Sequence, residues 1–99
     1  MRYSLFILPL LAILILSNKT MLPPAAGDAL YKKNCKVCHG NDGARGFMGA
    51  KNLKLSNMET SAIIQQIREG KSPMPSFKKK FSEDELAVLA DYVKSLRQL

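Results

Sequence analysis

Cys35-Lys36-Val37-Cys38-His39 is the stretch that decides how this chain is read. Two thiols three positions apart can form thioethers to the two vinyl groups of one porphyrin. The adjoining imidazole can then ligate iron from one face of the ring, so C-x-x-C-H is the attachment sequence of a c-type haem. The chain holds two cysteines and one histidine, which leaves no other residue competing for either role. A thioredoxin-like redox pair also uses C-x-x-C but needs a βαβ context, and the short stretch before Cys35 reads as helix. A structural zinc site needs four protein ligands, commonly a second Cys or His pair downstream, and none follows. An idle pentapeptide with His39 buried or unused is the remaining alternative.

Upstream of the motif, Met1-Arg2-Tyr3-Ser4 leads into an unbroken apolar run over residues 5–16 that includes Pro9. Its 12 residues suit the hydrophobic region of a secretory signal and fall short of the roughly 20 needed to span a bilayer. The interior proline argues against a core helix. Export to the periplasm or another extracytoplasmic compartment is therefore expected, in keeping with covalent haem attachment. No A-x-A triplet precedes the folded part, so an uncleaved segment that tethers the domain to a membrane stays open. The expected division is a signal peptide or membrane anchor plus short linker over residues 1–26, and a monohaem domain over residues 27–99.

Of the 99 residues, 15 are Lys or Arg and 8 Asp or Glu; Arg2 and Lys19 precede residue 27, which leaves the domain with 13 basic and 8 acidic residues. Its 73 residues bury little core, and domains of that size commonly need a staple. A haem would be that staple, an apolar plate around which three main helices pack in an all-α fold. Nucleic-acid binding is excluded by export and by the lack of a recognisable binding module.

Asp28 is expected to cap a first helix that runs through Asn34 into the haem motif, with Gly40 ending it in a left-handed backbone. Residues 41–57 are turn-rich and read as an irregular loop over the histidine side of the haem, Leu53 and Leu55 pointing inward. A second helix is expected over 59–69, burying Ile63, Ile64 and Ile67 and closed by Gly70. Ser72-Pro73-Met74-Pro75-Ser76-Phe77 can be neither helix nor central strand. Ser82 and Glu85 form a capping box for a last helix. Leu86, Leu89, Ala90, Val93 and Leu96 recur there at helical spacing to about Arg97, with Lys94 and Arg97 favourably placed at its end.

His39 supplies one axial ligand, and a methionine thioether opposite would raise the reduction potential. Of the five methionines, Met1 and Met21 lie outside the domain, Met58 adjoins the second helix, and Met48 lies in the loop over the histidine face. Met74 stands between two prolines that stiffen its backbone and leave little entropy to lose on ligation. It is the leading candidate, with Met48 second and core filling as the bland alternative.

Gly27-Asp28-Ala29-Leu30-Tyr31, the haem pentapeptide with Gly40, Gly70-Lys71 ahead of Met74-Pro75-Ser76-Phe77, and the stretch 82–93 with Tyr92-Val93 together resemble the class I c-type cytochromes of the short bacterial and photosynthetic kind. The resemblance covers residue 27 to about 96. It implies the cytochrome c fold, thioethers at Cys35 and Cys38, and iron held by His39 and Met74. It further implies a haem environment including Leu53, Pro75 and Phe77, and a helix crossing at Gly27 and Tyr92. Family members often carry a proline whose carbonyl accepts the histidine Nδ1–H. Lys51 stands in that place here, so its carbonyl is the expected acceptor, with Asn52 as a further side-chain contact.

Iron bound by both His and Met has no open position, so the expected role is outer-sphere electron transfer and not enzymatic catalysis. Partners are then redox proteins, met by a monomer. Lys33, Lys36, Lys51, Lys71, Lys78, Lys79 and Lys80 could steer an acidic surface towards the haem edge; ordinary solubility charge is the bland alternative. The rival functions are a haem-based sensor or carrier of small ligands and a weak peroxidase, each by opening of the methionine–iron bond.

Overall fold

The computed structural model describes residues 22–98. The apolar run at 5–16, and the signal or anchor reading that rests on it, lie outside them. The described residues form four helices, α1 (Pro24–Asn34), α2 (Lys36–His39), α3 (Thr60–Glu69) and α4 (Glu83–Ser95), with 3₁₀ turns at Phe47–Gly49 and Leu53–Leu55. No strand occurs among them. The all-α expectation holds, but the first helix does not run unbroken into the haem motif. It breaks at Cys35, whose φ of −114° separates α1 from the single turn of α2.

Asp28 is not the cap of α1. The helix starts at Pro24, after an extended Pro23, with no side-chain cap. A proline fits there because its missing N–H is one that a helix start leaves unbonded anyway. Asp28 lies one turn inside, where its carboxylate pairs with Lys32 at 3.2 Å. Residues 24–26, read from sequence as linker, are thus helical.

α3 agrees with the expected span to one residue, with Glu59 as its N-cap and Gly70 as its C-cap. Ile63 and Ile67 are buried and Ile64 half-buried. The capping box of α4 forms: Glu85 N–H donates to Ser82 Oγ at 3.1 Å, and Ser82 N–H donates to Glu85 Oε1 at 2.9 Å. Such a cap is worth about 1 kcal/mol. α4 ends at Ser95, short of Arg97. Arg97 instead donates to the Met58 carbonyl, and Gln98 N–H donates to Lys54 O at 2.9 Å. These bonds tie the chain end to the loop that precedes α3.

Tyr31, Ile63, Ile67, Phe81, Leu86, Leu89, Ala90 and Val93 make one core between α1, α3 and α4. α1 can cross α4 closely because Gly27 has no side chain. A Cβ there would lie 2.5 Å from the Val88 carbonyl oxygen and 3.1 Å from Tyr92 Cβ. The rings of Tyr31 and Tyr92 meet at 5.0 Å between centroids. Leu53 packs half-buried against the core, but Leu55 is 65% exposed, contrary to expectation. Both belong to a 3₁₀ turn, where three residues complete a turn and positions two apart do not share a face.

Candidate haem site

The haem motif begins where α1 stops. Cys35 N–H still donates to Tyr31 O at 2.8 Å, and Cys35 O accepts from both Cys38 N–H (3.3 Å) and His39 N–H (3.0 Å). This single turn fixes Cys35, Cys38 and His39 relative to one another. Both thiols are half-buried and unpaired. Burial, and then the neighbouring Cys38, pushes the Cys35 thiol up to about 11. Tyr31 anchors the other end of the turn: it is fully buried, and its hydroxyl donates to Gly40 O at 2.6 Å. Burial first, then Cys35, holds that hydroxyl well above its ordinary range, so it stays a neutral donor.

His39 Nδ1 lies 3.1 Å from the Lys51 carbonyl oxygen. A carbonyl only accepts, so Nδ1 carries the proton and Nε2 keeps a free lone pair for a metal. Leu53 N–H donates to Gly43 O at 2.8 Å and holds the far end of this loop. The Asn52 side chain does not serve the histidine: its Oδ1 accepts from Lys54 N–H at 3.0 Å and caps the turn Leu53–Leu55.

Met74 sits on the other side of the sequence, in a tight turn after a cis Ser72–Pro73 bond. Lys71 N–H donates to Met74 O at 2.9 Å, and Met74 N–H donates to Lys71 O at 2.8 Å. The turn is seated on Gly70, where a Cβ would meet the Pro75 carbonyl at 2.6 Å. Met74 is half-buried against the core, as is Phe77. Phe77 stacks on Phe81 at 5.1 Å, and its N–H donates to Ile67 O at 3.1 Å; Pro75 is exposed. Gln66 Nε2 reaches Met74 Sδ at 3.9 Å, a weak donor contact to sulfur. Sequence reasoning missed Gln66, because only the return of the methionine turn onto α3 brings residues eight apart together.

Two unpaired thiols on one turn, an adjoining imidazole with Nε2 free, and a half-buried thioether on a stiff turn form a donor set that fits a c-type haem. The matches to known proteins agree. A family model described as cytochrome c oxidase, cbb3-type, subunit III covers residues 23–93. A cytochrome c6 of Leptolyngbya boryana is 36% identical over 75 residues, covering 70% of this chain and 87% of its own.

The chain belongs to the small monohaem c-type cytochromes.

Within that family, a cytochrome c6 of a Synechocystis species is 35% identical over 75 residues, covering 70% of this chain and 62% of its own. Among solved structures, the KustC0563 c-type cytochrome superposes with a TM-score of 0.65 at 32% identity, covering 73% of this chain and 98% of that one. As a c-type cytochrome the protein carries single electrons through a covalently bound haem and is not a catalytic enzyme. Its partners are redox proteins, and it works on the extracytoplasmic side of a membrane.

Its positive charge is unevenly spread. Residues 70–81 carry Lys71, Lys78, Lys79 and Lys80 and no carboxylate. These four, with Lys33, Lys36 and Lys51, are exposed. The ion pairs among the described residues lie elsewhere, at Lys32–Asp28, Lys54–Asp42 and Arg68–Glu83.

Proposed function

We propose that Cys35 and Cys38 carry the thioethers, that His39 Nε2 and Met74 Sδ are the axial ligands, and that electrons pass to and from acidic redox partners steered by the lysines around the methionine turn. When bound, the haem supplies a one-electron Fe(III)/Fe(II) couple. The chain's residues set its ligands and its surroundings. The Lys51 carbonyl orients the imidazole and makes it a better donor. Pro73, Pro75 and the paired bonds between Lys71 and Met74 hold the thioether nearly rigid, so a weak neutral ligand loses little freedom on binding. Gln66 places the positive end of an amide dipole at that sulfur.

The single observation that carries this reading is Met74 itself. Its thioether is half-buried and its backbone fixed on both sides, whereas Met48 is 60% exposed. With His39 and Met74 both holding the iron, no position would be left for a small ligand, so the protein would serve as a carrier and not as a small-ligand sensor or peroxidase. An uncleaved residue 1–26 segment would tether this carrier to the membrane; a cleaved one would release it into the periplasm.

The ligand assignment is tested by Met74→Ala. The haem stays attached, the sulfur-to-iron charge-transfer band of the oxidised protein disappears, and the reduction potential falls because a thioether favours Fe(II). An unchanged band and potential would remove Met74 from the site. The steering role is tested by replacing Lys78, Lys79 and Lys80 together with glutamate, against Lys94→Glu as control. The association rate with an acidic redox partner falls strongly at low salt and weakly at high salt, because screening removes long-range steering. Equal changes in the triple variant and the control mark the lysines as plain solvated surface.

A further inference from the structure

We propose that Arg45 is a positioning residue for His39, a latch that grips both the haem-motif turn and the loop whose carbonyl takes the histidine's proton. This rests on His39 being an iron ligand. The single turn of α2 is too short to hold itself together, and the carbonyls at a helix end have no partners within the helix. Here Lys36 O accepts from Gly40 N–H at 2.8 Å, and His39 O accepts from the backbone N–H of Arg45 at 2.9 Å. Val37 O accepts from the Arg45 guanidinium, through Nη1, at 3.1 Å. One residue thus closes two of these three carbonyls, and it brings a positive charge to the negative end of the turn.

The same guanidinium lies 5.0 Å from the centre of the Phe47 ring. Phe47 opens the turn Phe47–Gly49, and its carbonyl accepts from Ala50 N–H at 3.1 Å. The next residue is Lys51, whose carbonyl faces His39 Nδ1. Two backbone bonds also act on this path, Gly49 N–H to Gly46 O at 3.3 Å and, at its far end, Leu53 N–H to Gly43 O at 2.8 Å. Gly46, Met48 and Gly49 all have positive φ, and Phe47 and Met48 are 45% and 60% exposed, so no core packing sets the loop's position. A planar fork can donate to a carbonyl while its face lies on a ring, and a lysine ammonium cannot do both in this way.

The test uses the haem-loaded protein with Arg45→Gln, Arg45→Lys and Phe47→Leu. The readout is the solvent-exchange rate of the His39 Nδ1 proton by nuclear magnetic resonance. The amide of Leu89, fully buried in α4, is the reference for global opening. In Arg45→Gln the His39 proton exchanges about tenfold faster, a change of about 1.4 kcal/mol, while Leu89 stays within about twofold of wild type. Arg45→Lys and Phe47→Leu, which each keep part of the latch, give smaller increases. Where Arg45→Gln fails to mature, Arg45→Lys carries the test.

If His39 and Leu89 accelerate together, Arg45 serves general stability and the proposal fails. It also fails if His39 is unchanged in every variant. Wild-type protein lacking the hyperfine-shifted ring signals of a ligating His39 overturns the ligand assignment, and the latch with it. A wild type that shows them, with variants that leave the His39 rate unchanged, overturns the latch alone.

Discussion

His39 and Met74 stand on two arms of one small domain, residues 35–53 and residues 70–81, and the arms are built differently. The histidine arm is a one-turn helix and a loop of left-handed residues, held by polar bonds: Tyr31 to Gly40, Arg45 to Val37 and His39, and Leu53 to Gly43. The methionine arm also has hydrogen bonds, between Lys71 and Met74 and from Phe77 N–H to Ile67 O, but adds steric restraint to them. Two prolines flank Met74, Gly70 lets the Pro75 backbone approach, and Phe77 stacks on Phe81. The difference fits the ligands proposed above. An imidazole beside two thioethers would already be delivered to the iron and would need only orientation, which directional hydrogen bonds give. A thioether reaching the iron from 35 residues further along the sequence binds weakly, and keeps its place only if little freedom is lost on binding.

Four variants probe this contrast, in falling order of expected effect. Replacing Cys35 and Cys38 together with serine removes covalent attachment. The haem-free chain loses most of its helical circular dichroism and its cooperative melt, because 73 residues supply too little apolar core alone. A fully helical, cooperatively melting chain would show that the haem is not its staple.

Gly70→Ala comes next. The new methyl group would lie 2.6 Å from the Pro75 carbonyl, at a φ of 71°. Close contact and a left-handed backbone add to a loss of about 2–4 kcal/mol. The methionine ligand should be displaced at lower denaturant than the helices melt. A single coincident transition would show that the two arms do not come apart separately.

Gly27→Ala acts away from both arms, at the α1–α4 crossing, where the methyl group would lie 2.5 Å from Val88 O. Overpacking of this kind costs about 1–3 kcal/mol. The melting temperature falls while the reduction potential stays put; a shifted potential would tie the crossing to the site. Gln66→Leu is the mildest. It removes the donor at Met74 Sδ, and with it the amide dipole that disfavours Fe(III). The potential drops by roughly 20–65 mV, the one-electron equivalent of a net hydrogen bond of about 0.5–1.5 kcal/mol. An unchanged or raised potential would remove Gln66 from the site.

The arms were also unequally legible in the sequence. Local chemistry announced the haem pentapeptide, the Ser82–Glu85 box, the helix closed by Gly70 and the proline-flanked Met74. The start of α1 was misread because Asp28 is a good cap residue, while the Pro23–Pro24 pair carried the actual start signal. Leu55 was misplaced because a 3₁₀ turn obeys neither strand nor helix periodicity. The contacts of Arg45, Gln66 and Tyr31 were not legible, for a shared reason. These contacts, to Val37, Met74 and Gly40, span eight or nine residues across a loop or a helix break, and no periodic pattern reports such pairs.

Delivery of the Met74 thioether to the iron by this stiff arm can be read from nuclear magnetic resonance of the reduced, haem-loaded protein. A methionine methyl group held over the porphyrin face is shifted far upfield by the ring current. One such resonance should be present in wild type, absent in Met74→Ala and retained in Met48→Ala. A spectrum without it, or one that loses it in Met48→Ala and keeps it in Met74→Ala, would contradict the claim.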